Sequence, residues 1–304
     1  MRIGDKGSPT LSPGVDDNFV DFLDERFFVS YLSGDKAAEG GNGLVFQINN
    51  QNGDVYALKL SKTSRQAASR DEEKEKRLAR FNREISALNA IKYDYNENVV
   101  GLIGTGNIVI GRNTYDFFVM EKCDYSLSSY LKSQPDLAPS QRIALFSKIL
   151  NGIKYLHRYG IYHRDIKSDN ILVQDDEPKI CDLGLSTFRN DDLDLDDVGE
   201  RIGPTGWFSP EATNKFLVET TLNPFNLNCV IGAKSDVFQL GKLFWYIMQG
   251  NLPLGQIAKS DFVASTNPLL YSIIRKCLLH SSQRRPSVDK AIKLMEDLFF
   301  EFGL

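Results

Sequence analysis

His163-Arg164-Asp165-Ile166-Lys167-Ser168-Asp169-Asn170 lies between two apolar runs, Ile161-Tyr162 and Ile171-Leu172-Val173. Twelve residues beyond Asn170 comes Asp182-Leu183-Gly184, directly behind Ile180-Cys181. Charged clusters in loops are ordinarily just solvated. Here the apolar runs predict short buried strands on either side, which would hold the charges in place. Phosphoryl transfer needs a carboxylate beside the attacking hydroxyl and hard oxygen ligands for Mg²⁺. Asp165, Asn170 and Asp182 supply those groups within this one stretch.

Outward from this centre the pattern is helical. Ile143, Phe146, Ile149, Leu150, Ile153 and Leu156 recur at helical spacing before it, and Gly160 is placed to stop that helix. Val237 to Met248 is apolar nearly all round, so a helix there would be buried. A last helix is expected through Val288, Ile292, Met295 and Phe299.

The first third reads differently. Phe27 to Leu32, Leu44 to Ile48 and Val55 to Leu60 are strand-like, with Asn52-Gly53 as a hairpin turn between the last two. Two more strands are expected near Val99 to Ile103 and Tyr115 to Glu121, and one helix through Phe81, Ile85, Leu88 and Ile91. The charged run from Arg70 to Arg80 before it reads as a solvated helical face. Glu39-Gly40-Gly41-Asn42-Gly43 sits between two strands, where glycines let backbone N–H groups approach phosphates. Alone, such a loop is more often a plain turn, and it lacks the Gly-Lys-Ser/Thr ending of a P-loop. Lys59, fourteen residues after Val45, could snorkel from a sheet edge or reach the same phosphates. Glu84, on the stripe of Leu88, is the acidic candidate to pair with it.

A strand-rich first third and a helical remainder predict two lobes with a cleft. The expected division is a flexible lead-in over 1–25, with a short helix at Phe19 to Leu23, then lobes at 26–122 and 123–304. The 304 residues carry a formal net charge of -4, with 42% hydrophobic and 25% charged residues, as in ordinary globular proteins. That balance gives no footprint for nucleic acid. No run approaches the roughly 18–20 apolar residues of a membrane span, and no signal-peptide core is expected near Met1. Cys123, Cys181, Cys229 and Cys277 are scattered, which fits a reducing cytoplasmic setting better than zinc or disulfides.

Taken together, in this order, these segments resemble the eukaryotic-type protein kinase family from about Phe27 to Phe299. The resemblance implies an α+β bilobal fold: a small antiparallel N-lobe sheet with one main helix, and a larger helical C-lobe. It implies ATP and Mg²⁺ as cofactors and a protein substrate. Ala38, Glu39, Gly40, Gly41 and Gly43 would form the phosphate loop, with Ala38 where the first glycine usually stands. Val45 and Ala57 would cover adenine, beside Met120 as gatekeeper and the hinge backbone at Glu121 and Cys123. Lys59 would hold the α/β-phosphates and pair with Glu84. Asp165 would accept or orient the hydroxyl proton, Lys167 would steady the γ-phosphate, and Asn170 and Asp182 would hold Mg²⁺. Ser209-Pro210-Glu211 looks like the end of an activation segment. Glu211 would pair with Arg285, and Asp236 would brace the catalytic loop.

Departures from the family pattern matter too. Asn42 replaces the usual loop-tip aromatic, and Pro204 in Gly203-Pro204-Thr205-Gly206-Trp207 is reminiscent of tyrosine kinases. Lys167, two residues after Asp165, is the Ser/Thr pattern. Arg164 implies a phosphorylated activation loop, yet Phe188 to Pro204 holds no Ser, Thr or Tyr. Either a carboxylate of Asp191-Asp192-Leu193-Asp194-Leu195-Asp196-Asp197 replaces the phosphate, or the loop is simply acidic and Ser186, Thr187 or Thr205 is the switch. The rival readings are a pseudokinase scaffold, a dual-specificity or tyrosine kinase, and a small-molecule phosphotransferase. The last lacks Ser-Pro-Glu and the Asp236 helix start. The stretch from Lys215 to Ala233 reads as a docking surface or a long loop. Oligomeric state is open.

Overall fold

The computed structural model describes residues 1–4, 8–14, 17–34, 36–189, 195–219, 223 and 225–303. The chain divides into two units, Met1–Tyr95 with Val100–Cys123, and Asn96–Val99 with Asp124–Leu304.

The first unit is built on an antiparallel sheet in the spatial order Phe19–Phe22, Glu25–Ser30, Gly43–Asn49, Val55–Ser61, Asn113–Met120, Leu102–Ile110, with Ala38–Glu39 added beside Gly43–Asn49. Side chains alternate between its faces because strand residues point up and down in turn. Leu44, Phe46, Ile48, Leu58, Leu60, Phe117 and Val119 fill one core with Phe22, Phe27 and Val29. Val45 pairs with Lys59, Lys59 with Phe118, and Ala57 with Met120. Directly paired residues share a face, so Val45, Ala57, Lys59 and Met120 stand together on the side opposite that core.

The helix Glu72–Ile91 starts at Asp71, whose side chain accepts from Lys74 N, and Glu72, Glu73 and Glu75 crowd its first turn. Both features favour the positive end of the helix dipole. Phe81, Glu84, Ala87, Leu88 and Ile91 form its buried face, and the Phe81 ring lies 5.6 Å from that of Phe118.

Phe19 to Leu23, expected as a short helix, is instead an edge strand. Its burial alternates with period two, and Leu23 and Asp24 take φ of 53° and 61° to turn into the next strand. Positive φ at both central residues is the tight hairpin geometry that matches sheet twist.

The second unit is mainly helical. Pro139–Arg158 and Ala233–Gln249 form its middle, with the Phe146 and Phe244 rings stacked at 4.0 Å. Pro268–Cys277 and Val288–Phe302 pack around them. Gly160, at φ 72°, follows the first of these helices as expected. The charged stretch lies between short strands, Ile161–Tyr162 before it and the hairpin Ile171–Gln174 with Glu177–Ile180 after it.

Candidate active site

The site residues expected from sequence fall into two sets, one in each unit. In the first, Lys59 Nζ donates to both carboxylate oxygens of Glu84, at 2.9 and 2.7 Å, and both side chains are buried. A helical glutamate is usually solvated; this one is inside because its stripe faces the sheet. The glycine segment closes over the lysine. A Cβ on Gly43 would come 2.9 Å from Lys59 Cγ, so only glycine fits there. A Cβ on Gly40 would lie 3.9 Å from Lys59 Nζ, which sets the loop backbone beside the ammonium. The loop tip is held by Gly40 N donating to Gly43 O, Lys62 N to Asn42 O and Lys62 Nζ to Gly40 O. Gly41 and Glu39 complete the segment, Glu39 pairing with Leu44. At the far end of the same face, Met120 is buried and Glu121 N donates to Gly101 O. Cys123, half-buried, closes the unit.

In the second unit, the loop from His163 to Asn170 hangs on one fully buried carboxylate. Asp236 accepts from His163 N at 2.9 Å, Arg164 N at 2.7 Å and His157 Nε2 at 2.8 Å. Gln239, one turn along the same helix, accepts from Ile166 N and donates to Arg164 O. These contacts fix Arg164 at φ 68°, a conformation that non-glycine residues seldom adopt. His163 Nε2 bonds Cys181 O while its Nδ1 accepts from Asp165 N. Cys181 N in turn donates to Asn170 O. The sequence reading found Asp236 but missed His157 and Gln239; the three-residue spacing of Asp236 and Gln239, which puts both on one helix face, is the signal that would have found the latter.

Asp165 is the buried carboxylate of this loop. Its Oδ2 accepts from Asn170 Nδ2 at 2.8 Å and Lys167 Nζ at 3.2 Å. Its buried Oδ1 has no hydrogen-bond partner among the described residues. Burial pushes the Asp165 carboxyl above the usual carboxylate range; Lys167 and His163 pull it down, and Asp182 adds a smaller push upward. Asp182 is therefore within electrostatic reach of Asp165, and its backbone sits at φ 60°. Asn170 Nδ2 donates twice to Asp165, to the backbone O and to Oδ2. Its amide oxygen makes no hydrogen bond among the described residues, and Asn170 Oδ1 and the Asp182 carboxylate are both oxygen donors. A hard, strongly hydrated cation such as Mg²⁺ fits that pair, since it is normally bound through one or two protein groups plus phosphates and water. Among the described residues no cluster of three or more His, Cys, Asp or Glu could hold a metal.

Arg164 forms a buried ion pair with Asp196. Of the acidic run, Leu195, Asp196 and Asp197 lie within the described residues, whereas Asp191-Asp192-Leu193-Asp194 lie outside them. Ser186 is buried and Thr205 is exposed. Glu211 and Arg285 make the expected pair, two-pronged at 2.5 and 3.1 Å.

The family model described as "Protein kinase domain" matches residues 31–300, and this chain belongs to that family. Its α+β architecture, a sheet-based unit followed by a helical one, is the protein kinase fold. Among curated relatives, it is 23% identical to the dual specificity protein kinase Ttk of Danio rerio, over 92% of this chain and 28% of that protein. It is 28% identical to the probable serine/threonine-protein kinase gdt4 of Dictyostelium discoideum, over 93% of this chain and 16% of that one. It is 27% identical to the probable serine/threonine-protein kinase pknA2 of Bifidobacterium longum, over 71% of this chain and 26% of that one. The chain thus spans under a third of the length of these relatives. Among the described residues no helix is long and apolar enough to cross a membrane.

Proposed function

We propose that this chain transfers the γ-phosphoryl of ATP to Ser or Thr hydroxyls of protein substrates. The observation that carries the reading is Asp165: a buried carboxylate held on one oxygen by Lys167 and Asn170, with the other oxygen unpartnered among the described residues. A raised carboxyl pKa suits a group that must take a proton from a hydroxyl. In the transfer the substrate oxygen bonds to Pγ and the bond from Pγ to the bridging oxygen breaks. The hydroxyl proton goes to Asp165 Oδ1, and ADP leaves. Lys167, 3.2 Å from Asp165 Oδ2, is placed to hold the negative γ-phosphoryl oxygens. Mg²⁺ on Asn170 Oδ1 and Asp182 would neutralise charge on the β- and γ-phosphates. Lys59, oriented by Glu84 under the Gly40 backbone, is assigned to the α/β-phosphates. Val45, Ala57 and Met120 supply the apolar face for adenine. With Glu121 N already given to Gly101 O, adenine would meet Glu121 through its carbonyl.

The Arg164–Asp196 pair supports a second part of the proposal: Asp196 takes the place of an activating phosphate, so the enzyme works without loop phosphorylation. Four cysteines not joined in disulfides suit a cytoplasmic setting.

Radiolabelled ATP with a generic basic protein, followed by phosphoamino-acid analysis, tests the activity beside Asp165→Asn. Label on Ser and Thr from the wild type, and almost none from the variant, is expected. Absence of transfer, or equal transfer by the variant, defeats the reading; label on Tyr as well makes the enzyme dual-specific. Exhaustive phosphatase treatment should leave activity intact. Its loss would remove Asp196 from the role and point to exposed Thr205.

A further inference from the structure

Away from every residue assigned to phosphoryl transfer, the second unit holds a cavity of about 750 Å³. That is within the range of roughly 300–1,000 Å³ typical of ligand pockets. Phe208, Phe238, Pro253, Leu254 and Ile257 give it apolar walls. Its charged lining is of one sign: Lys242 and Arg275, with His280 beside them, and no Asp or Glu. This occurs in a chain whose formal net charge is -4.

Lys242 is the unusual member. Lysine is almost never buried without a counter-ion, yet Lys242 is 7% exposed and forms no ion pair among the described residues. Its ammonium donates to Gly206 O at 2.7 Å and Pro253 O at 3.1 Å, two of the three bonds that an ammonium can make. Burial pulls its pKa down to about 8, a sign that charge here is poorly compensated. Arg275, on the next wall, is exposed and likewise has no ion pair among the described residues.

We propose that this cavity is a docking site for an acidic segment of a partner protein, whose apolar side chain fills the walls while a neighbouring carboxylate meets Lys242 and Arg275. Charge complementarity selects the acid, and the aromatic and aliphatic walls select a peptide. A small inorganic anion would satisfy the cations and leave the apolar walls wet. Since Gly206 belongs both to the wall and to the segment before Ser209-Pro210-Glu211, an occupant would press on the end of the activation segment.

The test uses the full chain and a fluorescein-labelled hexapeptide array, each peptide carrying two Glu among Leu, Ile or Phe. Anisotropy should find binders that fall tenfold or more in affinity when Gln replaces Glu, and again in the Arg275→Glu and Lys242→Met proteins. Melting curves show whether Lys242→Met is folded; Arg275→Glu, a surface change, carries the test if it is not. The proposal is overturned if no peptide exceeds its Gln control, or if binders ignore Arg275→Glu. Displacement by an ATP analogue would also overturn it, as would equal binding of anionic vesicles or of phosphopeptides without Glu.

Discussion

Two buried acid–base clusters in the helical unit are built on opposite terms. Around Glu211 every group is satisfied. Arg285 directs its five N–H groups to five acceptors: two on Glu211, and the carbonyls of Leu279, Lys234 and His280. Ser235 Oγ adds a further bond to the Glu211 carboxylate. Around Asp165 one oxygen is held and the other has no partner among the described residues, with the proton affinity of the carboxyl raised by burial. A satisfied cluster contributes to the fold, whereas an under-satisfied one stores chemical potential at some cost in stability. Substitutions in the two clusters should therefore separate into losses of stability and losses of turnover.

The largest expected effect is kinetic. Asp165→Asn should lower kcat by about 10²–10⁴, while its melting temperature stays level or rises, because the strained carboxylate is gone. A large drop in melting temperature would erase the contrast. Next, Glu211→Ala strands a buried guanidinium and should cost about 3–5 kcal/mol of unfolding free energy, measurable by urea denaturation. If that variant unfolds normally yet loses activity, Glu211 belongs with the chemistry instead. Lys59→Met, which breaks a buried pair on the other unit, should lower kcat/KM by about 10²–10³.

Asp196→Asn sharpens the comparison from a third side. A charge-assisted bond contributes roughly 1.5–3 kcal/mol, so about a tenfold or greater loss of activity is expected, recovered in part by Asp196→Glu. The smallest effect is in pH. The raised pKa means Asp165 holds its proton to higher pH than a free aspartate, near 3.9, so the acid limb of kcat/KM should begin above that value. The same group favours the folded state while protonated, and its contribution is lost as pH rises through the folded pKa. An acid limb at the ordinary aspartate position would count against Asp165 as the base.

Much of the fold is legible in the sequence. Asp165, Asn170 and Asp182 declare themselves because charges framed by apolar runs have a fixed spacing, and Lys59 because its strand follows the glycines. Glu84 was a candidate partner for Lys59 from its helix stripe, but the pairing of Glu211 with Arg285 came from family likeness, since a contact between residues 74 positions apart leaves no local trace. The Phe19–Phe22 strand was misread because four residues carry too few periods to tell helix from strand, and Leu23-Asp24 lacks the glycine that usually marks a tight hairpin. The pairing of Asp196 with Arg164 was not legible either, because the five aspartates of one short run offer the same carboxylate. Lys242 interrupts a largely apolar helix, and nothing local reveals which carbonyls it would find.

One carboxylate, Asp236, draws together a side chain at the end of one helix and two amides of the loop that bears Asp165. The ordering entropy of that loop is thus lost once, when the chain folds, and is not lost again afterwards. The working geometry and the melting of the helical core become a single cooperative event, so heat should abolish both together.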